Sequence, residues 1–298
     1  MTISIGLIPN DKTVMLLQDS EISYQSLGFT QDLFNKIKQI DDTSLAGIIG
    51  DSRTANLIID YLKNIKPTSS KELRDSLEEA YHKVMEEKLS KGVLKKYGFK
   101  DIREVSQPHK ETMVDQDVRS QVLNAADGKG IDLDVMLISN IDEPQIYTVG
   151  FPGVGRLENN IKMYDVSGSG SILAINKLGE ELEKYRWKSE LSINEGIDVL
   201  MHAGKEAEKH TGVGGPFDIK YITKDDKGKN KIVTLDQKKI NMVMYLLPFN
   251  IDKDIMNKSI DYMLRDNDKK SPEDISKFIK ENTGVGIEFD HYFGLNKK

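Results

Sequence analysis

The sequence predicts an α+β protein in which two antiparallel sheets are stacked between helical layers, a four-layer αββα sandwich. Three observations predict it. The chain opens with period-two alternation, helix-period stripes come in pairs after Asp51 and again after Ser171, and strand-like runs return between and after those pairs.

Residues 2–8 set Ile3, Ile5 and Leu7 against Thr2, Ser4 and Gly6, the pattern of a strand with one buried face. Pro9-Asn10-Asp11-Lys12 reads as a turn and residues 13–19 as a returning strand. With Ile8 opposite Thr13, facing residue numbers sum to a constant, which places Thr2 beside Asp19. Residues 33–49 read as a second pair of short strands around the turn Asp41-Asp42-Thr43-Ser44. Helical periodicity follows from Asp51, with Leu57, Ile58, Tyr61, Leu62 and Ile65 on one stripe and Pro67 as the stop. A second helix starts at Ser69, whose spacing to Glu72 is that of a capping box. Val135 to Ile141 and Gln145 to Gly150 are strands. A helix from near Ser171 carries Ile175, Leu178, Leu182 and Tyr185, and another begins at Ser192 with Glu195 as its box partner. Residues 217–223 and 231–235 are strand-like, and a helix start is written in Ser271-Pro272-Glu273-Asp274. The polar, weakly periodic residues 95–130 read as an insertion in a main domain of residues 1–235, followed by a helical C-terminal extension, residues 236–298.

Composition narrows the function. Lys and Arg number 42 against 48 Asp and Glu, a formal charge of -6 that argues against a nucleic-acid binder. The chain has no cysteine, which excludes disulfides, thiolate catalysis and cysteine-held metal. No run approaches the roughly 20 apolar residues of a membrane span, and no secretory leader is evident, so a cytoplasmic location is expected. The five histidines are scattered and predict no metal site; no cofactor is expected.

Thr2 is the first candidate for chemistry. Removal of Met1 would leave a hydroxyl and a free amine on one residue, a nucleophile with its own base. Asp19, from the hairpin pairing, and Lys36, on the next strand, can pair close to that hydroxyl, and an ammonium there favours the alkoxide. Gly47 precedes the helix near Asp51, so its amide suits an oxyanion. Ser167-Gly168-Ser169-Gly170-Ser171 combines small hydroxyls with a backbone that admits close approach, without the lysine or glycine spacing of the nucleotide-binding loops.

The opening TISIGLI, the segment NKIKQIDDTSLAGIIGDSRTANLI, the later YDVSGSGSILAINKL and the stretch SINEGIDVLMHAGKEAEKHTGVGGPFDIKYITKD together resemble the proteasome β-type subunits over residues 2–65 and 133–224. The resemblance implies the N-terminal nucleophile hydrolase fold and a threonine peptidase with an acyl-enzyme intermediate. It implies Thr2 as nucleophile, Asp19 and Lys36 as its acid and lysine, Gly47 as oxyanion donor, Ser169 as active-site serine, and Leu45 and Ile49 as walls of an apolar specificity pocket. Gly168, Ser171 and His210 would stand in a supporting shell. The implied partners are a peptide or protein substrate and further copies of the chain in a ring-like homo-oligomer. Three departures matter: His210 and Val213 stand where the family has an Asp and a Ser before its Gly-Gly pair, the insertion and C-terminal extension exceed those of an ordinary ring subunit, and Met1 blocks the nucleophile until removed. These departures keep a second reading open, a catalytically silent subunit with a scaffold or assembly role.

Overall fold

The computed structural model describes residues 2–20, 22–24, 29–31, 36–92, 94–99, 133–150, 163–211, 213–214, 216–236, 244–249, 251–264 and 272–284, with a few single residues at 117–124 and at 240. Most of the expected insertion and the residues ahead of Pro272 lie outside this set. The strands are β1 Ile3–Asn10, β2 Thr13–Asp19, β3 Ile22–Tyr24, β4 Phe29–Gln31, β5 Ile37–Asp41, β6 Ser44–Gly50, β7 Leu133–Ser139, β8 Gln145–Gly150, β9 Tyr164–Gly168, β10 Phe217–Lys224 and β11 Asn230–Thr234. The longer helices are α1 Ser52–Ile65, α2 Ser70–Gly92, α3 Ser171–Glu183, α4 Ile193–Ala207, α5 Lys253–Leu264 and α6 Pro272–Thr283.

The result is a mixed α+β protein with two main antiparallel sheets. One has the order β11-β10-β2-β1-β9 and the other β5-β6-β7-β8; β3 and β4 form a separate hairpin. Strand alternation divides the apolar residues between faces. Ile3, Ile5, Leu7, Met15 and Leu17 turn to the core shared with α3, α4, α5 and α6. Val14 and Leu16 turn the other way and meet Ile37, Leu45, Ile49, Met136 and Ile138 of the second sheet. The far face of that sheet packs Ala46, Ile48, Val135 and Leu137 against Ile58, Leu62, Leu77 and Tyr81 of α1 and α2. Three successive apolar layers of this kind are compatible with a sandwich. No described helix is long and apolar enough to cross a membrane.

Local signals explain the helix ends. Asp51 caps α1, its carboxylate accepting from the Arg53 and Thr54 amides. The Ser69 hydroxyl accepts from the Glu72 amide at 3.2 Å, but the Glu72 carboxylate reaches Thr68 instead of closing the expected box. At Ser192 both halves of the box are present.

The structure corrects four readings. The hairpin register is one residue off the expected one: Ser4 faces Gln18 and Leu7 faces Met15, so facing numbers sum to 22 and Asp19 falls opposite Ile3. The cause is that β1 runs through Pro9 to Asn10, leaving Asp11-Lys12 as the turn, with an irregularity between Leu7 and Asn10. On α1 the buried stripe is Ala55, Ile58, Ile59 and Leu62 while Leu57 is 53% exposed. On α3, Ile175 is 40% exposed and the buried positions are Ala174, Leu178 and Glu181. In both helices one apolar residue adjoining the stripe was counted into it, although 3.6-residue geometry turns it outward. Of residues 167–171, read as a loop, Ser167 and Gly168 instead end an edge strand, Tyr164–Gly168.

The C-terminal extension is not a separate unit in its packing. Met256, Ile260 and Ile279 are buried in the same core as Ile3, Val199 and Phe217. Ile260→Ala should therefore cost about 2–5 kcal/mol, measured by denaturant unfolding as a single transition shifted to lower denaturant; a separate early transition with the main one unmoved would contradict a shared core.

Candidate functional site

Three chain segments meet at the start of β1. Thr2 precedes the strand, Asp19 ends β2, and Lys36 precedes β5; they are 8%, 1% and 6% exposed. The Lys36 ammonium donates to Thr2 Oγ1 at 2.9 Å and to Asp19 Oδ1 at 3.3 Å. The same Asp19 oxygen accepts the Ile3 amide at 3.0 Å, which follows from the corrected register that sets Ile3 opposite Asp19. Burial pushes the Asp19 carboxyl up to about 6, against the lowering effects of Lys36 and of the Ile3 amide. The carboxylate is thus held in a dry site chiefly by one ammonium, and the Thr2 hydroxyl shares that ammonium.

The backbone around Thr2 is fixed from the other side by β9. Ile3 pairs with Gly168, and the Ser169 amide donates to the Thr2 carbonyl at 3.0 Å. Gly168 has φ +111°, and a Cβ there would fall on the Thr2 carbonyl oxygen. Only glycine allows this approach. Ser169 and Gly170 form the turn into α3, with Ser171 as its first residue. Behind the turn, Val213 and Ala207 pack at Gly170. Val213 is 5% exposed and acts as core. The Ser167 hydroxyl bonds to Asp134 of β7 and the Thr148 hydroxyl to Asp165 of β9 at 2.7 Å, so β9 is tied to the second sheet as well.

Other expected site residues stand elsewhere. Gly47 lies inside β6, paired with Ile37 and Met136. The Ile48 amide donates to the Lys36 carbonyl at 3.3 Å, so by strand alternation the Gly47 amide points the opposite way, into the β7 ladder. A Cβ at Gly47 would sit 3.0 Å from Ser4 Oγ and 3.1 Å from Gln18 Oε1. Its role here is to let the two sheets come close. The next amide on the Lys36 side of β6 belongs to Gly50, an exposed residue with φ +87° that ends the strand. The sequence signal for it was the glycine directly before the Asp51 cap. Leu45 and Ile49, expected as pocket walls, are 0% and 4% exposed and fill the core between the sheets. They alternate with Ala46 and Ile48 and face inward with Gly47, which closes them to solvent. The His210 ring bonds through Nδ1 to the Thr211 carbonyl at 2.9 Å. Among the described residues no three His, Cys, Asp or Glu side chains gather as a metal site would require.

No family model matches the chain, and no curated protein matches it. What the site can do therefore rests on its geometry: it presents a hydroxyl to an ammonium that a buried carboxylate holds in place.

Two outcomes test this geometry without any substrate. Carbon NMR of the Asp19 carboxyl should titrate near 6, and Lys36→Met should move that midpoint higher, because the lowering charge is gone. Gly168→Ala should lose more than about 1 kcal/mol of stability in denaturant unfolding, since no alanine relieves both the positive φ and the overlap with Thr2.

Proposed function

We propose that the chain is a threonine-nucleophile amidohydrolase of the N-terminal nucleophile class, most similar in plan to the proteasome β-type subunits, and that it cleaves peptide bonds once Met1 is removed. One observation carries the proposal: Lys36 Nζ stands 2.9 Å from Thr2 Oγ1 and 3.3 Å from Asp19 Oδ1, with all three residues largely buried. The three successive packed layers support the finer reading of the fold as the four-layer αββα sandwich of that class.

In this reading Thr2 Oγ attacks the scissile carbonyl carbon and gives up its proton. The exposed α-amine of Thr2 takes that proton, and the Lys36 ammonium, anchored by Asp19, stabilises the developing alkoxide. The carbonyl oxygen becomes an oxyanion; the Gly50 amide takes the donor place first given to Gly47. Collapse of the tetrahedral species breaks the C–N bond, the proton passes to the leaving amine, and an ester on Thr2 remains. Attack by water, or by another amine, releases the acyl group and restores the hydroxyl. Ser169 acts through its amide by holding the Thr2 carbonyl. The substrate is a peptide or protein. Assembly into a ring-like homo-oligomer would restrict access, and the expected location is cytoplasmic.

The silent-subunit reading is favoured by a different observation: Leu45 and Ile49 are buried in the inter-sheet core, so the expected specificity pocket is closed. Intact mass separates the two, since the peptidase should lack Met1 and a scaffold has no need to lose it. Thr2→Ala should reduce turnover of a fluorogenic peptide to background with an unchanged melting profile; turnover at the wild-type rate would refute the nucleophile. For the processed enzyme, kcat/KM should rise with pH through about 6 as Asp19 ionises. The sign is fixed by the mechanism: protonated Asp19 no longer holds the Lys36 charge, so the acid side is the inactive one. A profile flat between pH 5 and 8 would contradict the role given to Asp19.

A further inference from the structure

Lys36 is the residue just before β5, so the position of its ammonium depends on how the first residues of that strand are held. Within its own sheet the Lys36 carbonyl accepts the Ile48 amide at 3.3 Å. Two side chains then reach across from the five-stranded sheet. Gln18 Nε2 of β2 donates to the Ile48 carbonyl, and Lys220 Nζ of β10 donates to the Ile37 carbonyl at 3.0 Å. Lys220 thus holds the Ile37–Lys38 peptide, one residue beyond Lys36, from the sheet that carries Thr2 and Asp19.

A lysine is not what packing alone would place there. Two residues further along the same face of β10, Ile222 is fully buried in the apolar layer between the sheets. Lys220 itself is half-buried beside Asp218, and burial lowers its ammonium while Asp218 opposes that effect. An ammonium kept against an apolar layer carries a desolvation cost that a methionine of similar length would avoid. Against that cost stand the hydrogen bond to the Ile37 carbonyl and the charge of Asp218.

We propose that Lys220 is a positioning residue for Lys36: by holding the Ile37 carbonyl from the opposite sheet, it sets the distance at which Lys36 meets both Thr2 and Asp19. The proposal rests on the reading of Thr2 as nucleophile. Lys220 touches no reacting atom. Its effect passes through one peptide unit to an ammonium that has to satisfy two oxygens at once, 2.9 and 3.3 Å away. A slip of roughly 1 Å in such a group costs on the order of 100-fold in rate.

The test uses the full, processed chain and an electrophilic peptide β-lactone that acylates a hydroxyl nucleophile, read by intact mass and by mapping of the labelled residue. Wild type should label at Thr2. Lys220→Met at saturating probe should label roughly 10- to 100-fold more slowly, reach the same final stoichiometry, and keep the wild-type half-saturating concentration. Lys220→Arg, which can still donate to the carbonyl, should recover most of the rate. A purely structural role would instead lower the labelled fraction and leave the rate constant of the folded molecules unchanged. Should Lys220→Met not fold, Lys220→Gln, too short to span the gap, gives the same reading. Labelling of either folded variant at the wild-type rate, or a loss of labelled fraction alone, overturns the positioning role and leaves the nucleophile assignment standing. Failure of the wild type to label at Thr2 overturns that assignment, and this inference with it.

Discussion

The structure turns on a buried ion pair. Lys36 and Asp19 present side chains that are 7% and 0% exposed, and taking two charges out of water is costly unless each finds partners. Asp19 has the Ile3 amide and the Lys36 ammonium, and its carboxyl still titrates well above the ordinary range. Lys36 has Asp19 and the Thr2 hydroxyl. Neither charge is stable there without the other, and Thr2 is the third member of the arrangement. Such a pair contributes little net stability, so a reason other than folding is needed for its presence. In the proposed function, activation of the Thr2 hydroxyl is that reason.

The fold supplies this arrangement from parts far apart in the chain. A hairpin brings the end of β2 to the start of β1; the edge strand β9 returns from beyond residue 160 to fix the Thr2 carbonyl; and β5 delivers Lys36 from the opposite sheet. The two sheets have to lie close for the last step. Gly47 permits this by leaving room for Ser4 and Gln18, so a glycine first considered for chemistry serves the distance between layers.

Much of this was legible in the residues. Alternation marked β1, β2, β7 and β8, periodicity from Asp51 marked α1, and the box at Ser192 marked α4, because these signals are local. The association of Thr2, Asp19 and Lys36 was legible through a hairpin argument with a one-residue error. The error did little harm at the strand end, since Asp19 still reaches Lys36, but inside a strand it would have exchanged the two faces. What was not legible depended on direction across sheets. No sequence pattern says which way the Gly47 amide points, or that Leu45 and Ile49 face a second sheet and not a cleft. The edge strand β9 was hidden because it ends in Ser167-Gly168, the start of a run that read as a loop. The strand-like run of residues 217–223 does not single out Lys220; its bond to the Ile37 carbonyl does.

Met256, Ile260 and Ile279 have a practical bearing on how the polypeptide is handled. Their helices finish the greasy layer that begins at Ile3, so a version trimmed after Leu235 would leave the outer side of α4 uncovered. Such a fragment would be adhesive toward other proteins and toward itself. Anyone seeking a minimal folded piece should keep the tail, however little it resembles the rest.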